Sequence, residues 1–138
     1  MDSKGRRIDV KNYCINSEDQ LIKHTLVSYG NHSHNHYVLS SLSYKEQYNE
    51  ISKAKMILDK IDVNKSNLFS LPFGGSDDYN EDTVDIVNKL GYSGMLMSRN
   101  RVNYYTNSED IALLERFMPF EKNLNLSLKK LFLKELLI

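Results

Sequence analysis

The chain has 138 residues, 41% hydrophobic and 26% charged, which fits one globular domain with a real core and excludes wholesale disorder. Eighteen Lys and Arg balance eighteen Asp and Glu, so the charge shows neither the basic footprint of a nucleic-acid binder nor the acidic excess that would suit a cationic partner. The single cysteine, Cys14, excludes an internal disulfide framework and fits a reducing compartment.

The first seven residues carry charge with no apolar run after them, unlike a signal peptide. Residues 7–15 read as a strand with Ile8, Val10 and Tyr13, and Cys14 as one of its buried residues. Ser17 with Gln20 resembles a capping box, which predicts a short helix carrying Leu21, Ile22 and Leu26. A strand is expected over residues 27–29. Directly after it comes Gly30-Asn31-His32-Ser33-His34-Asn35-His36, with three of the four histidines of the chain on alternate positions.

Ser43 and Glu46 form a second capping box, ahead of a long helix whose inner face carries Tyr44, Tyr48, Ile51, Ala54, Leu58 and Ile61. Residues 67–71 read as a strand ended by Pro72 and the Gly74-Gly75 turn. Asn80 caps a third helix with Val84, Val87 and Leu90 inward, and Gly91 is placed to end it in a left-handed turn. Residues 94–98 are another strand and 111–118 one more. The final segment has Leu124, Leu128, Leu131 and Leu136 at helical spacing, broken by Lys129, Lys130, Lys134 and Glu135, so nothing there spans a membrane. Contact with a membrane surface or another helix is the weakest reading of that segment, which lacks aromatic and strongly basic character. Alternation of strands and helices points to an α/β fold, with each chemistry-bearing segment at the carboxyl end of a strand.

Imidazole is the commonest protein ligand for metals. If the histidine segment is extended, His32, His34 and His36 share one face. If it is a turn, His32 and His36 converge while His34 points elsewhere. A polar loop whose histidines meet only solvent is the third reading. Gly30-Asn31 favours a shaped turn, because both residues tolerate positive φ. Phe69-Ser70-Leu71-Pro72-Phe73-Gly74-Gly75 alone is a strand and its turn, and Asp77-Asp78 a solvated turn ahead of the Asn80 cap.

Together the two segments resemble the polysaccharide deacetylase family, the NodB-homology domain. Its His-Ser/Thr-x-x-His motif typically follows Gly-Asn and precedes a Leu-Ser pair that opens a helix. Here His32-Ser33-His34-Asn35-His36 follows Gly30-Asn31, and Leu42-Ser43 precedes the long helix. The family's Arg-x-Pro-Tyr/Phe motif matches Ser70-Leu71-Pro72-Phe73 with Ser in place of Arg, as in a subset carrying Phe-x-x-Pro-Phe/Tyr-Gly. The Gly91-Tyr92-Ser93 turn before a strand is also typical, and the resemblance spans roughly residues 8 to 100.

The resemblance implies a distorted, incomplete (β/α) barrel occupying residues 1–138 as a single partial domain. It makes His32 and His36 ligands of a divalent metal, zinc first, with cobalt or nickel as alternatives. His34 becomes a bystander or a support to the ligands, and Pro72, Phe73 and Gly74 line the substrate groove. The implied reaction is hydrolysis of N-acetyl groups on a polysaccharide or oligosaccharide, a carbon–nitrogen bond other than a peptide bond. In that chemistry the metal polarises the acetyl carbonyl and lowers the pKa of its water from about 15.7 to near 7.

Two family motifs are absent. No Thr-Phe-Asp-Asp-Gly supplies a third ligand and a base, and no histidine follows His36 to protonate the leaving amine. The catalytic residues are therefore unknown, and the chain is expected to be a fragment or a shortened relative with reduced or no activity. The alternative is a non-catalytic domain that binds metal or glycan or docks on a partner. Open sheet edges imply self-association or marginal stability. A cytoplasmic location is expected for the chain as given, and an extracytoplasmic one if an upstream segment is missing.

Overall fold

The computed structural model describes residues 15, 17–103, 111–117 and 128–130. Four parallel strands form one sheet in chain order: β1 (Tyr29–Asn31), β2 (Lys65–Ser70), β3 (Gly94–Met97) and β4 (Ala112–Glu115). Helix α1 (Tyr44–Lys60) crosses from β1 to β2, and α2 (Glu81–Lys89) from β2 to β3. Successive right-handed crossovers in one direction put both helices on one face of the sheet, where they pack against each other. This is an α/β fold, and its parallel sheet with sequential crossovers is an arc consistent with an incomplete (β/α) barrel. Among the described residues no helix is long and apolar enough to cross a membrane.

The core lies between that face and the helices. Phe69 and Leu71 from the β2 segment and Met95 and Met97 from β3 alternate inward and meet Ile51 of α1 and Ile86 and Val87 of α2, all fully buried. At the start of α1 the N–H and hydroxyl of Ser43 both donate to Glu46 Oε2, the arrangement of a capping box. Asn80 caps α2 by accepting from Thr83 N at 3.1 Å. Buried Gln47 links the helices, donating to Asn80 Oδ1 and accepting from the Thr83 hydroxyl. Gly91 follows α2 at φ 82°, the left-handed terminator expected there.

Several expectations need correction. After Ser17 the chain makes only a 3-10 turn, Glu18–Gln20, and the Ser17 side chain does not cap it. Ile22 and Leu26 are 65% and 88% exposed, so this short stretch has no buried face to stabilise a helix. Local bonds hold it instead: Ile22 N donates to the Tyr29 hydroxyl, and Leu26 N to His24 Nδ1. β1 begins two residues later than expected, because the Asn64 side chain takes the His24 and Val27 carbonyls. β2 begins two residues earlier, at Lys65.

The inner face of α1 is also rotated. Gln47, Glu50 and Ile51 are its buried residues, while Tyr44 and Tyr48 stay exposed. A face carrying Gln and Glu can be buried here because both find partners. β4 lies within the expected 111–118, and residues 128–130 are helical. Of the strand expected over 7–15, Ile15 is exposed and in no strand, while residues 7–14 with Cys14, like Leu124, Leu131 and Leu136, lie outside the described residues.

Candidate metal centre

β1 ends on Asn31, a buried residue whose carboxamide is bonded at both its nitrogen and its oxygen. Its Nδ2 donates to the Ile51 carbonyl at 2.9 Å and to the Tyr92 hydroxyl at 2.7 Å, and its Oδ1 accepts from Ser33 N at 2.9 Å. That last bond turns the chain at once. Ser33 adopts φ 62° and its hydroxyl accepts from His36 N at 3.1 Å, while His36 itself sits at φ 59°. Two left-handed residues other than glycine are strained, and they persist only where surrounding bonds over-determine them.

The histidine segment is therefore a turn, not an extended stretch. His32 and His36 meet edge to face, with ring centroids 4.7 Å apart and planes at 74°. His34 is exposed and does not join them in a group of metal-ligating side chains. His32 Nδ1 lies 2.7 Å from the Ser70 carbonyl. A carbonyl can only accept, so Nδ1 is the donor in this bond, and Nε2 is the ring nitrogen left to bind a metal when the imidazole is neutral.

The loop after β2 supplies a wall. Phe73 adopts φ 61°, is 56% exposed, and packs its ring on His36 at 4.7 Å and 69°. Pro72 and Gly74 are buried beside it. Gly74 has φ 82°, and a Cβ there would stand 2.6 Å from Ser98 Cβ, so only glycine fits. Its carbonyl accepts from Ser98 N at 2.9 Å, tying the Phe73 turn to the end of β3. Asp78 accepts from Gly75 N at 2.6 Å, and the Asp77 carbonyl accepts from the Ser40 hydroxyl. Asp78 thus braces the loop with its carboxylate, and Asp77 with its backbone.

Further along the strand ends, Arg99 pairs with Glu115, whose carboxylate raises the already high pKa of the guanidinium. Arg99 Nη1 also reaches Ser76 Oγ at 3.4 Å, joining β4 to the loop that carries Phe73. All these groups sit at the carboxyl edge of the parallel sheet, where such folds bind ligands. Among the described residues no group of three or more His, Cys, Asp or Glu is placed to hold a metal, so the His32–His36 pair stands without a third such side chain beside it. Spacing does not single out Asn35, Glu50 or Tyr92 as supports of this loop. The one sign in the sequence is a charged residue one position before Ile51 on the inner face of α1.

The structure resembles that of a Streptococcus pyogenes deacetylase, PplD, in complex with acetate, with a TM-score of 0.61 and 24% sequence identity. The likeness covers 75% of this chain and 44% of that one, so the chain spans less than half the length of that relative. No curated protein matches the sequence. The family model of polysaccharide deacetylase matches residues 11–95, more than half of the 138. The match takes in the His32–His36 turn, the Phe73 wall, two of the four strands and the start of a third, and the chain belongs to the polysaccharide deacetylase family.

Proposed function

We propose that the chain is a metal-binding, deacetylase-like domain that takes N-acetylated polysaccharide or oligosaccharide at the carboxyl edge of its sheet. The observation that carries this reading is the His32–His36 ring pair with His32 Nδ1 donating to the Ser70 carbonyl. Two imidazoles with a free Nε2 on His32 fit zinc, with cobalt or nickel as alternatives. Such a metal, when bound, would polarise an acetyl carbonyl and acidify a water.

The chain's own residues do the rest. Ser70 orients His32, and the Asn31–Ser33 turn brings His36 to it. Phe73 offers an exposed aromatic face beside the pair, suited to the apolar face of a sugar ring, while Pro72 and Gly74 set its position.

We propose further that turnover by this chain is low or absent. Its 138 residues contain no Asp-Asp-Gly motif and no histidine beyond His36. The one Asp-Asp pair, Asp77-Asp78, lies in the loop that Asp78 braces. Acetate release from N-acetylglucosamine oligomers in the presence of zinc tests both parts. The expected result is oligomer binding that Phe73→Ala weakens, with little acetate formed. Rapid acetate release that persists in His32→Ala would refute the assignment of the pair. The alternative, a non-catalytic glycan- or metal-binding domain, is favoured by the same Asp78 bracing and would give binding with no release at all.

A further inference from the structure

The turn that brings the two histidines together is held from outside by one buried carboxylate. Glu50 lies on the inner face of α1, only 8% exposed, and both its oxygens point at a single residue of the turn. Glu50 Oε2 accepts from Asn35 N at 2.7 Å and Oε1 accepts from Asn35 Nδ2 at 2.6 Å. Asn35 immediately precedes His36, the residue at φ 59°.

We infer that Glu50 is a positioning residue for the metal pair, acting through Asn35 to hold His36 in its left-handed conformation against His32. The inference rests on the reading of His32 and His36 as the metal-holding pair. Three features single out Glu50. A carboxylate is expensive to bury, and charge-assisted bonds to a backbone and a side-chain N–H offset that penalty only if the turn keeps its present shape. The two bonds fix the peptide entering Asn35 and the direction of its side chain, and the next peptide is held in turn by His36 N donating to the Ser33 hydroxyl, so the chain entering His36 has little freedom to rotate. α1 is anchored independently by Ile51 in the core and by Gln47 against α2, so Glu50 holds the turn from a rigid platform. On the other side the Asn31 carboxamide holds Ser33, and the turn is clamped at both ends.

Glu50→Gln is the informative change. A Gln retains one acceptor but turns an N–H toward an Asn35 donor, so one of the two bonds is replaced by a clash of donors. Gln47→Ala is the control: it also removes a buried polar group from α1, but one that braces α2 and does not touch the histidine turn. Two measurements on the full chain separate the possible failures. The first is the proton–proton contact between the His32 and His36 rings by NMR without metal. The second is Co²⁺ affinity, with the ligand-field spectrum, at a temperature where all variants are folded.

The expected result is that Glu50→Gln loses the ring–ring contact and binds Co²⁺ at least ~10-fold more weakly, the usual consequence of removing a group that orients a metal ligand. Gln47→Ala keeps both the contact and the affinity despite lower thermal stability. Glu50→Gln with the ring contact intact would overturn the inference, and so would an equal loss in Gln47→Ala. If the parent chain binds no Co²⁺, the metal reading fails, while the ring–ring contact still decides whether Glu50 positions His36.

Discussion

Asn31 illustrates how one side chain can set a site. It closes β1, turns the chain into the histidine segment by one bond to Ser33 N, and ties that turn to α1 and to Tyr92 by two more. Burial raises the pKa of the Tyr92 hydroxyl, so it stays protonated while accepting from the Asn31 amide. Asn31→Ala leaves the buried Tyr92 hydroxyl without its donor and the Ser33 N–H without its acceptor, and we expect it to lower the unfolding free energy by about 2 kcal/mol in urea titrations. Gly74 and Gly91 form a second contrast. Both lie at φ 82°, but a Cβ at Gly91 meets nothing within 4 Å whereas one at Gly74 meets Ser98 at 2.6 Å. Gly91→Ala should therefore lose only ~1 kcal/mol from backbone strain, and Gly74→Ala roughly 3 kcal/mol, with strain and overpacking combined. Equal losses would show that the loop after β2 can relax.

At the scale of elements, helix signals in the sequence were accurate where capping and tertiary burial agreed. Ser43 with Glu46, and Asn80 alone, mark both helix starts correctly, because a cap is a local interaction that needs no distant partner. The Ser17–Gln20 pattern is equally local and fails, because the residues after it bury nothing. The inner face of α1 departs from the hydropathy pattern for a related reason. Hydropathy favours Tyr44 and Tyr48, but the partners that make Gln47 and Glu50 burial tolerable come from Asn80, Thr83 and Asn35, far away in the sequence.

The α1 cap also predicts a pH dependence. Its hydrogen bonds from Ser43, hydroxyl first and then backbone, hold the Glu46 pKa below its ordinary 4.5. A depressed carboxylate stabilises the fold above its unfolded pKa and loses that contribution as pH falls through the folded one. The urea midpoint of the parent chain should therefore fall more steeply below the ordinary Glu range than that of Glu46→Gln. Parallel curves would mean the cap contributes nothing to stability.

For the whole molecule, the parallel order β1-β2-β3-β4 gathers the His32–His36 turn, the Phe73 wall and the Arg99–Glu115 pair along one edge. The family motifs in the sequence identified the first two, since each is a contiguous segment at a strand end. The clamp of Asn31 and Glu50 was not legible, because it joins residues 15 to 61 positions apart that only the packed fold brings together. Such supports convert a His-x-x-x-His pattern from a polar loop into a pair of rings in contact.

Metal content of the purified chain, beside His32→Ala and His36→Ala, tests the central claim most directly. After equilibration with zinc and removal of free ion, the account predicts about one metal per chain, the one-ion stoichiometry of a single shared site, and its loss in either variant. Zinc retained equally by both variants, or no zinc in the folded parent chain, would contradict it.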